Sequence, residues 1–321
     1  MKKIFPLLVT TLITLTGCNS SPKKVSFIDS IYRPGDYYHQ ESYELDLSVV
    51  APTGAPAVAM YGFANQLGNK LTTSSNPAVG VIPMFQSREY DVIVAPTDSG
   101  LNQIMNLGAK YKIAATITFG NFFIVSFGRD ADEVLNNGDK IIIFQENGIP
   151  GKTFNYLYGN RGLSVTAVAN AADTKQIIEN NGVYDGVSYD YILTAEPIMS
   201  ATGKTPFLSI KDEFKERTNG LVLTQASIFV KNGLNSTKVD KFLFAVKDYI
   251  AAGFEDPSVI QSAIESVGSP QEQQGAFGVA GVMAKKVTLN NNGFGFGYAN
   301  AYNIREDIRN FIKIVDPSVK L

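Results

Sequence analysis

The sequence is poor in the side chains that most often carry chemistry near neutral pH: its 321 residues include one cysteine, Cys18, and one histidine, His39. A single cysteine cannot close an internal disulfide. One histidine and one cysteine also build neither a zinc site nor a His–Cys catalytic cluster, although a reaction run by carboxylates alone stays open. There is no long basic run and the formal net charge is −2, so the electrostatic footprint of a nucleic-acid binder is missing. A phosphate-binding loop is missing too, despite Gly151-Lys152-Thr153. That loop needs a glycine separated by four residues from the Gly-Lys pair, and Glu146 stands there, while Pro150 lacks an N–H.

What is present is ordinary globular material, 45% hydrophobic and 18% charged, enough for one large core or two medium ones. The chain opens with two lysines and an apolar stretch from Ile4 to about Thr16, too short to span a bilayer comfortably and typical of a secretory signal. Leu15-Thr16-Gly17-Cys18 at its end resembles the bacterial lipobox, in which lipid joins the cysteine and the signal is cut just before it. Loss of residues 1–17 removes Lys2 and Lys3, leaving 26 of the 28 basic residues against 30 acidic, a net charge of −4. Such a charge steers no partner strongly.

Residues 19–44 mix Ser, Pro, Lys and Tyr without a sustained period and read as a tether or an ordered arm. From Leu45 onward, β-branched runs alternate with helical stretches, an α/β pattern. One construction recurs four times: an apolar run, a turn carrying Thr, Asp or Gly, then a helix start. The turns are Pro52-Thr53-Gly54, Pro96-Thr97-Asp98, Gly148 to Thr153, and Thr194-Ala195-Glu196-Pro197. Runs buried on both faces suit parallel strands, and parallel strands place such turns at one sheet edge, where helix N–H groups point outward. With short right-handed connections, two units fall in one sheet and two in another, their rims facing across a cleft.

Between the pairs, two apolar runs meet at Gly120-Asn121 and read as adjacent strands leading to a crossover near residue 128. The chain returns at residues 220–234, and two crossing strands make a natural hinge. Gly275, Gly278 and Gly281, spaced by three on a predicted helix, point to close helix packing. The Asn- and Gly-rich stretch 290–303 reads as an ordered strand or loop before an amphipathic helix over 305–315.

A lipobox followed by these units resembles the substrate-binding lipoproteins of ABC importers, and within them the nitrate/sulfonate/bicarbonate and thiamine-pyrimidine-precursor binders. The resemblance is carried by residues 51–57 and 90–97, the run 108–126, the turn 148–151 and "YDYILTAEP", in that order. It implies a type II periplasmic-binding-protein fold: two open, mostly parallel sheets flanked by helices and joined by two hinge crossovers. The expected layout is a signal over 1–17, an arm over 18–44, a first lobe over 45–127 plus 225–321, and a second over 128–224. It also implies that Thr53, Gly54, Ala55, Thr97, Asp98 and Ser99 meet a ligand from the first lobe. Gly148, Gly151, Lys152, Thr153 and Glu196 would meet it from the second, with Asn121 and Gln225 near the hinge. The implied partners are a small molecule, a membrane permease and its separate ATPase, with no resident cofactor, no metal and no nucleic acid. The protein would be a monomer anchored outside the cytoplasm by lipid on Cys18.

The same residues have plainer readings. Thr53, Thr97 and Asp98 can cap their helices, at about 1 kcal/mol each. Glu196 can be a solvated turn residue and Lys152 a surface lysine that opposes the helix dipole. Phe119, Phe122, Phe123, Tyr189 and Tyr191 read mainly as core, with one or two able to stack on a planar ligand. Carboxylates at Asp98 and Glu196, if they face the cleft, disfavour a bare anion and favour a polar heteroaromatic. The rival readings are a small-oxyanion binder of the nitrate/sulfonate type, a surface adhesin on the same fold, or an enzyme of the pyrimidine- or menaquinone-pathway type.

Overall fold

The computed structural model describes residues 25–35, 45–128, 135–290 and 292–321. The signal segment, Cys18 and His39 lie outside the described residues. The chain runs through β1 (Val49–Pro52), β2 (Leu71–Ser74), β3 (Val92–Pro96), β4 (Tyr111–Thr118), β5 (Phe122–Ser126), β6 (Lys140–Phe144) and β7 (Ser164–Val168). It continues through a small hairpin, β8 (Val183–Tyr184) and β9 (Val187–Ser188), then β10 (Tyr191–Ala195), β11 (Leu208–Ser209), β12 (Ala226–Lys231) and β13 (Phe296–Asn300). A six-stranded sheet has the order β13-β4-β12-β3-β1-β2, and a five-stranded sheet has the order β11-β5-β10-β6-β7.

The pairing follows from burial. Every residue of β1 and β10 is buried, as is all of β6 after Lys140, so each needs cover on both faces. β1 accordingly pairs in parallel with β2 and β3, and β6 with β7 and β10. The returning β12 lies antiparallel between β3 and β4. All four strand–turn–helix units form, two in each sheet.

The two apolar runs around Gly120-Asn121 do not lie side by side. β5 pairs antiparallel with β10 in the second sheet, so the chain crosses at residues 119–121 rather than near 128, and β5 does not belong with the first lobe's strands. The break has a steric cause. Gly120 adopts φ 106°, which an L side chain rarely tolerates, and Gly295 lies so close that a Cβ there would strike the Gly120 carbonyl. The chain thus leaves the first sheet at Gly120 and returns to it at Gln225.

A third connection is made by the carboxy-terminal helix Arg305–Val315. Its buried stripe, Ile308, Phe311, Ile312 and Val315, has helical spacing. The helix packs on Thr97–Met105 of the first lobe and Ile149–Tyr158 of the second. Phe311 meets Phe214 edge-on with ring centroids 5.6 Å apart. One hydrophobic cluster therefore runs from Ile93 and Phe229 under the first sheet to Ile142 and Ile192 in the second. The other face of the first sheet, with Val94 and Ile228, packs on helices carrying Phe242 and Ile260.

The glycine-spaced segment is two helices rather than one, Pro270–Phe277 and Gly281–Leu289, broken where Gly278 turns left-handed at φ 72°. Gly281 does serve close packing, since a Cβ there would strike the Gln261 carbonyl. Of the amino-terminal arm, residues 25–35 are strapped to the first lobe. Ile31 bridges to Ile113, and Asp240 accepts from the Tyr32 hydroxyl at 2.9 Å and the Gly35 N–H at 3.0 Å. Among the described residues no helix is long and apolar enough to cross a membrane.

Candidate ligand site between the two sheets

The four turns at the strand ends carry the predicted site residues, and the structure shows which of their groups are already committed. In the first lobe the Thr53 N–H donates to Ser74 O at 2.9 Å, the Gly54 N–H to Phe277 O at 2.8 Å, and the Thr97 N–H to Gln225 O at 3.0 Å. Ala55, buried, opens the short helix that follows. Neither helix is capped by a side chain here: Gly54 and Pro96 occupy the cap positions. Thr97 Oγ1 instead meets Ser227 Oγ at 2.8 Å, which meets Thr116 Oγ1 at 3.0 Å, a buried file of three hydroxyls running from the helix start after β3 across β12 to β4.

In the second lobe, Gly148 caps the helix Ile149–Tyr158, and Gly151 sits so tightly over its turn that a Cβ would strike the Glu146 backbone. This positions Lys152 to reach out of its own lobe. Its Nζ lies 2.7 Å from Asp98 Oδ2 and 2.7 Å from Asp316 Oδ2. Asp98 is only 1% exposed, and its second oxygen accepts from the Ser99 N–H and hydroxyl. Asp98, Ser99 and Lys152 are thus brought together as one ion-paired cluster that ties the lobes. Burial pulls the Lys152 pKa down, but the two carboxylates outweigh it and leave it raised. For Asp316, burial pushes up while the Lys152 and Ser318 hydrogen bonds pull harder, and its pKa is lowered.

The second contact between the lobes is uncharged. Asn121, on the outgoing crossover, exchanges backbone and side chain with Glu196: the Glu196 N–H donates to Asn121 O and Asn121 Nδ2 donates to Glu196 O, each at 3.0 Å. Gln225, on the returning crossover, donates from Nε2 to Asn121 Oδ1 at 2.9 Å and from its N–H to Thr118 O at 3.0 Å. The Glu196 carboxylate turns away into its own helix start, accepting from the Ser200 N–H at 3.0 Å and hydroxyl at 2.7 Å. Burial drives its pKa up, against those hydrogen bonds. Gly293 of the Asn- and Gly-rich stretch packs on Glu196, where a Cβ would come within 3.2 Å of Cγ.

Four buried side-chain atoms around these contacts have no partner: Thr118 Oγ1, Thr224 Oγ1, Gln225 Oε1 and, on the Lys152 helix, Thr153 Oγ1. An unpaired buried polar atom costs about 1–3 kcal/mol. Two open recesses, of about 370 and 410 Å³, lie elsewhere, one beside Lys215 and Asn219 and one beside Tyr32 and Lys112. The aromatics are chiefly core: Phe122 and Tyr191 are buried, while Phe119, Phe123 and Tyr189 are half-buried. Sequence reasoning missed Asp316, Thr116, Thr118, Thr224 and Ser227. The threonines within the otherwise apolar "IAATITF" were a usable signal, whereas nothing local marks Asp316.

No protein-family model matches the chain, and no curated protein matches it by sequence. Solved structures do match. An ABC transporter from Parabacteroides distasonis is 14% identical with a TM-score of 0.62, over 86% of this chain and 95% of that one. A candidate nitrate transport protein from Thermoplasma volcanium is 13% identical with a TM-score of 0.52, over 84% and 93% of the two chains. A protein from Archaeoglobus fulgidus is 13% identical with a TM-score of 0.51, over 83% and 96%. With two parallel-rich sheets flanked by helices, the fold is that of the type II periplasmic-binding-protein class.

Proposed function

We propose that the chain is an extracytoplasmic substrate-binding lipoprotein. It captures a small polar nutrient between its lobes and hands it to an ABC permease powered by a separate ATPase. The observation that carries the reading is the meeting of helix starts from both lobes, with Lys152 on Asp98, beside two crossovers tied by Asn121 and Gln225. An arrangement in which two lobes, joined by two crossovers and a packed helix, also meet through a few polar bonds at their helix starts suits closure around a ligand. Lipid on Cys18 would hold the protein at the membrane surface, as a monomer.

On this reading Thr53 to Ala55, Thr97 to Ser99, Gly148, Gly151 to Thr153 and Glu196 frame the cleft. Asp98 and Lys152 hold it shut rather than bond the ligand, and an aromatic, vitamin-like nutrient fits the half-buried Phe119 and Phe123 beside it. Of the arm that motivates the adhesin alternative, the described residues 25–35 are engaged within the chain: Tyr32 bonds Asp240 and Arg33 stacks on Tyr302. Native mass spectrometry of the full chain, purified in detergent without heating, tests the proposal. A discrete added mass in the small-nutrient range is expected; only bare protein, with no compound raising Tm, would defeat it.

A further inference from the structure

We infer that the ligand of this seam must bring a hydrogen-bond donor, an N–H or O–H aimed at Gln225 Oε1, and is therefore not a bare oxyanion. The inference rests on the binding reading above and deepens it.

Glu196 O is a backbone carbonyl and can only accept, so Asn121 must turn its Nδ2 toward it. Asn121 Oδ1 is then left as an acceptor, and Gln225 must offer it Nε2. The orientation of Gln225 is fixed by this relay, and its Oε1 remains a buried acceptor without a partner. Only a donor satisfies it. An oxyanion such as nitrate or a sulfonate carries no donor, and setting one against an amide oxygen adds repulsion to the unpaired cost.

Two further orphans lie on the same pair of chain segments. Thr224 directly precedes Gln225, and Thr118 receives the Gln225 N–H on its carbonyl; both side chains are fully buried with free hydroxyls. A hydroxyl both donates and accepts, so the trio offers one fixed acceptor and two adaptable groups. A carboxamide, a ureido edge, an aminopyrimidine or a polyol matches that set. The charge pattern agrees: Lys152 is already held by two carboxylates, so it is not offered to an anion.

The test uses the full chain in detergent and matched probes read by thermal shift and titration. Cytosine, uracil, nicotinamide and myo-inositol carry donors; 1,3-dimethyluracil, nitrate and methanesulfonate carry none. At least one donor-bearing probe is expected to raise Tm, with its donor-free counterparts at least tenfold weaker. Thr118→Val and Thr224→Val should each weaken that probe at least tenfold while Tm without ligand stays level or rises, because an orphan hydroxyl is being replaced by a methyl. Nitrate, methanesulfonate or dimethyluracil binding as tightly as the donors would overturn the inference while leaving the binding function intact. No response to any donor would also overturn it, and an adduct in the native spectrum would still uphold the binding function. A fall of more than about 2 °C in the ligand-free Tm of both valine variants would show that the hydroxyls have internal partners, and would end it as well.

Discussion

Beside the apolar packing of the carboxy-terminal helix, two polar contacts between the lobes stand out among the described residues, and they are opposite in character. One is the charged cluster of Lys152 with Asp98 and Asp316; the other is the neutral relay from Gln225 through Asn121 to Glu196 O. In the first, every charge has a partner of opposite sign, so it can hold the lobes together but has nothing left to offer. In the second, the bonds run in one direction and end on an unsatisfied oxygen. Holding and reading are thus assigned to different places, and substitutions should separate them.

Lys152→Met should have the largest effect. It strands Asp98, almost wholly buried, without its cation, and breaking such a pair costs about 3–5 kcal/mol, readable as a lower urea midpoint. Next comes Asn121→Ala, which removes two bonds of the relay and leaves Gln225 Nε2 without its acceptor. A loss of about 1–3 kcal/mol is expected by the same measurement, together with weaker ligand binding. If Lys152→Met weakened binding beyond its effect on folding, while Asn121→Ala spared binding, the division of roles would be reversed.

The pH dependence distinguishes the two contacts by the window in which each responds. Lys152 has a raised pKa, so its contribution is present below the ordinary 10.5 and is lost as pH rises through the higher folded value. Asp316 has a lowered pKa, so its contribution is present above 3.8 and is lost as pH falls through the lower folded value. The charged cluster is therefore steady across the whole neutral range. Glu196, beside the relay, is opposite in sign to Asp316 and responds from a lower pH than Lys152. Its raised pKa gives a contribution present below 4.5 and lost as pH rises through the folded value. As pH rises from 4.5 through the raised folded value, Tm should carry a downward Glu196 component that Glu196→Gln flattens. The smallest effect belongs to a control outside both contacts: Tyr32→Phe removes one bond to Asp240, which keeps the Gly35 N–H. About 1 kcal/mol of stability should go, with ligand affinity untouched.

Much of this architecture was legible in the residues. The runs Val49–Pro52, Val92–Pro96, Lys140–Phe144 and Tyr191–Ala195 announce doubly buried strands, because after Lys140 no charged residue and only Thr194 among polar ones interrupts them, and their turns announce helix starts. Individual glycines were harder to place. Gly120 reads equally well as a hairpin turn or a crossover until the position of Gly295 is known, and that contact is set 175 residues away in the chain. The candidate site was half legible: residue types at the turns were visible, but their partners were not. Asp98 and Lys152 were each expected to face a ligand, and the structure pairs them with each other because the two helix starts meet. No local pattern could reveal the third member, Asp316, which follows a helix whose own sequence is explained by packing.

The most direct test of the account is the interlobe distance, followed by double electron–electron resonance between spin labels on the exposed sites Val165→Cys and Val282→Cys in a Cys18→Ser chain. The account predicts one narrow distribution when Lys152 is intact and an added longer population in Lys152→Met, reduced when a donor-bearing ligand is supplied. Superposable distributions in the two chains, with and without ligand, would contradict it.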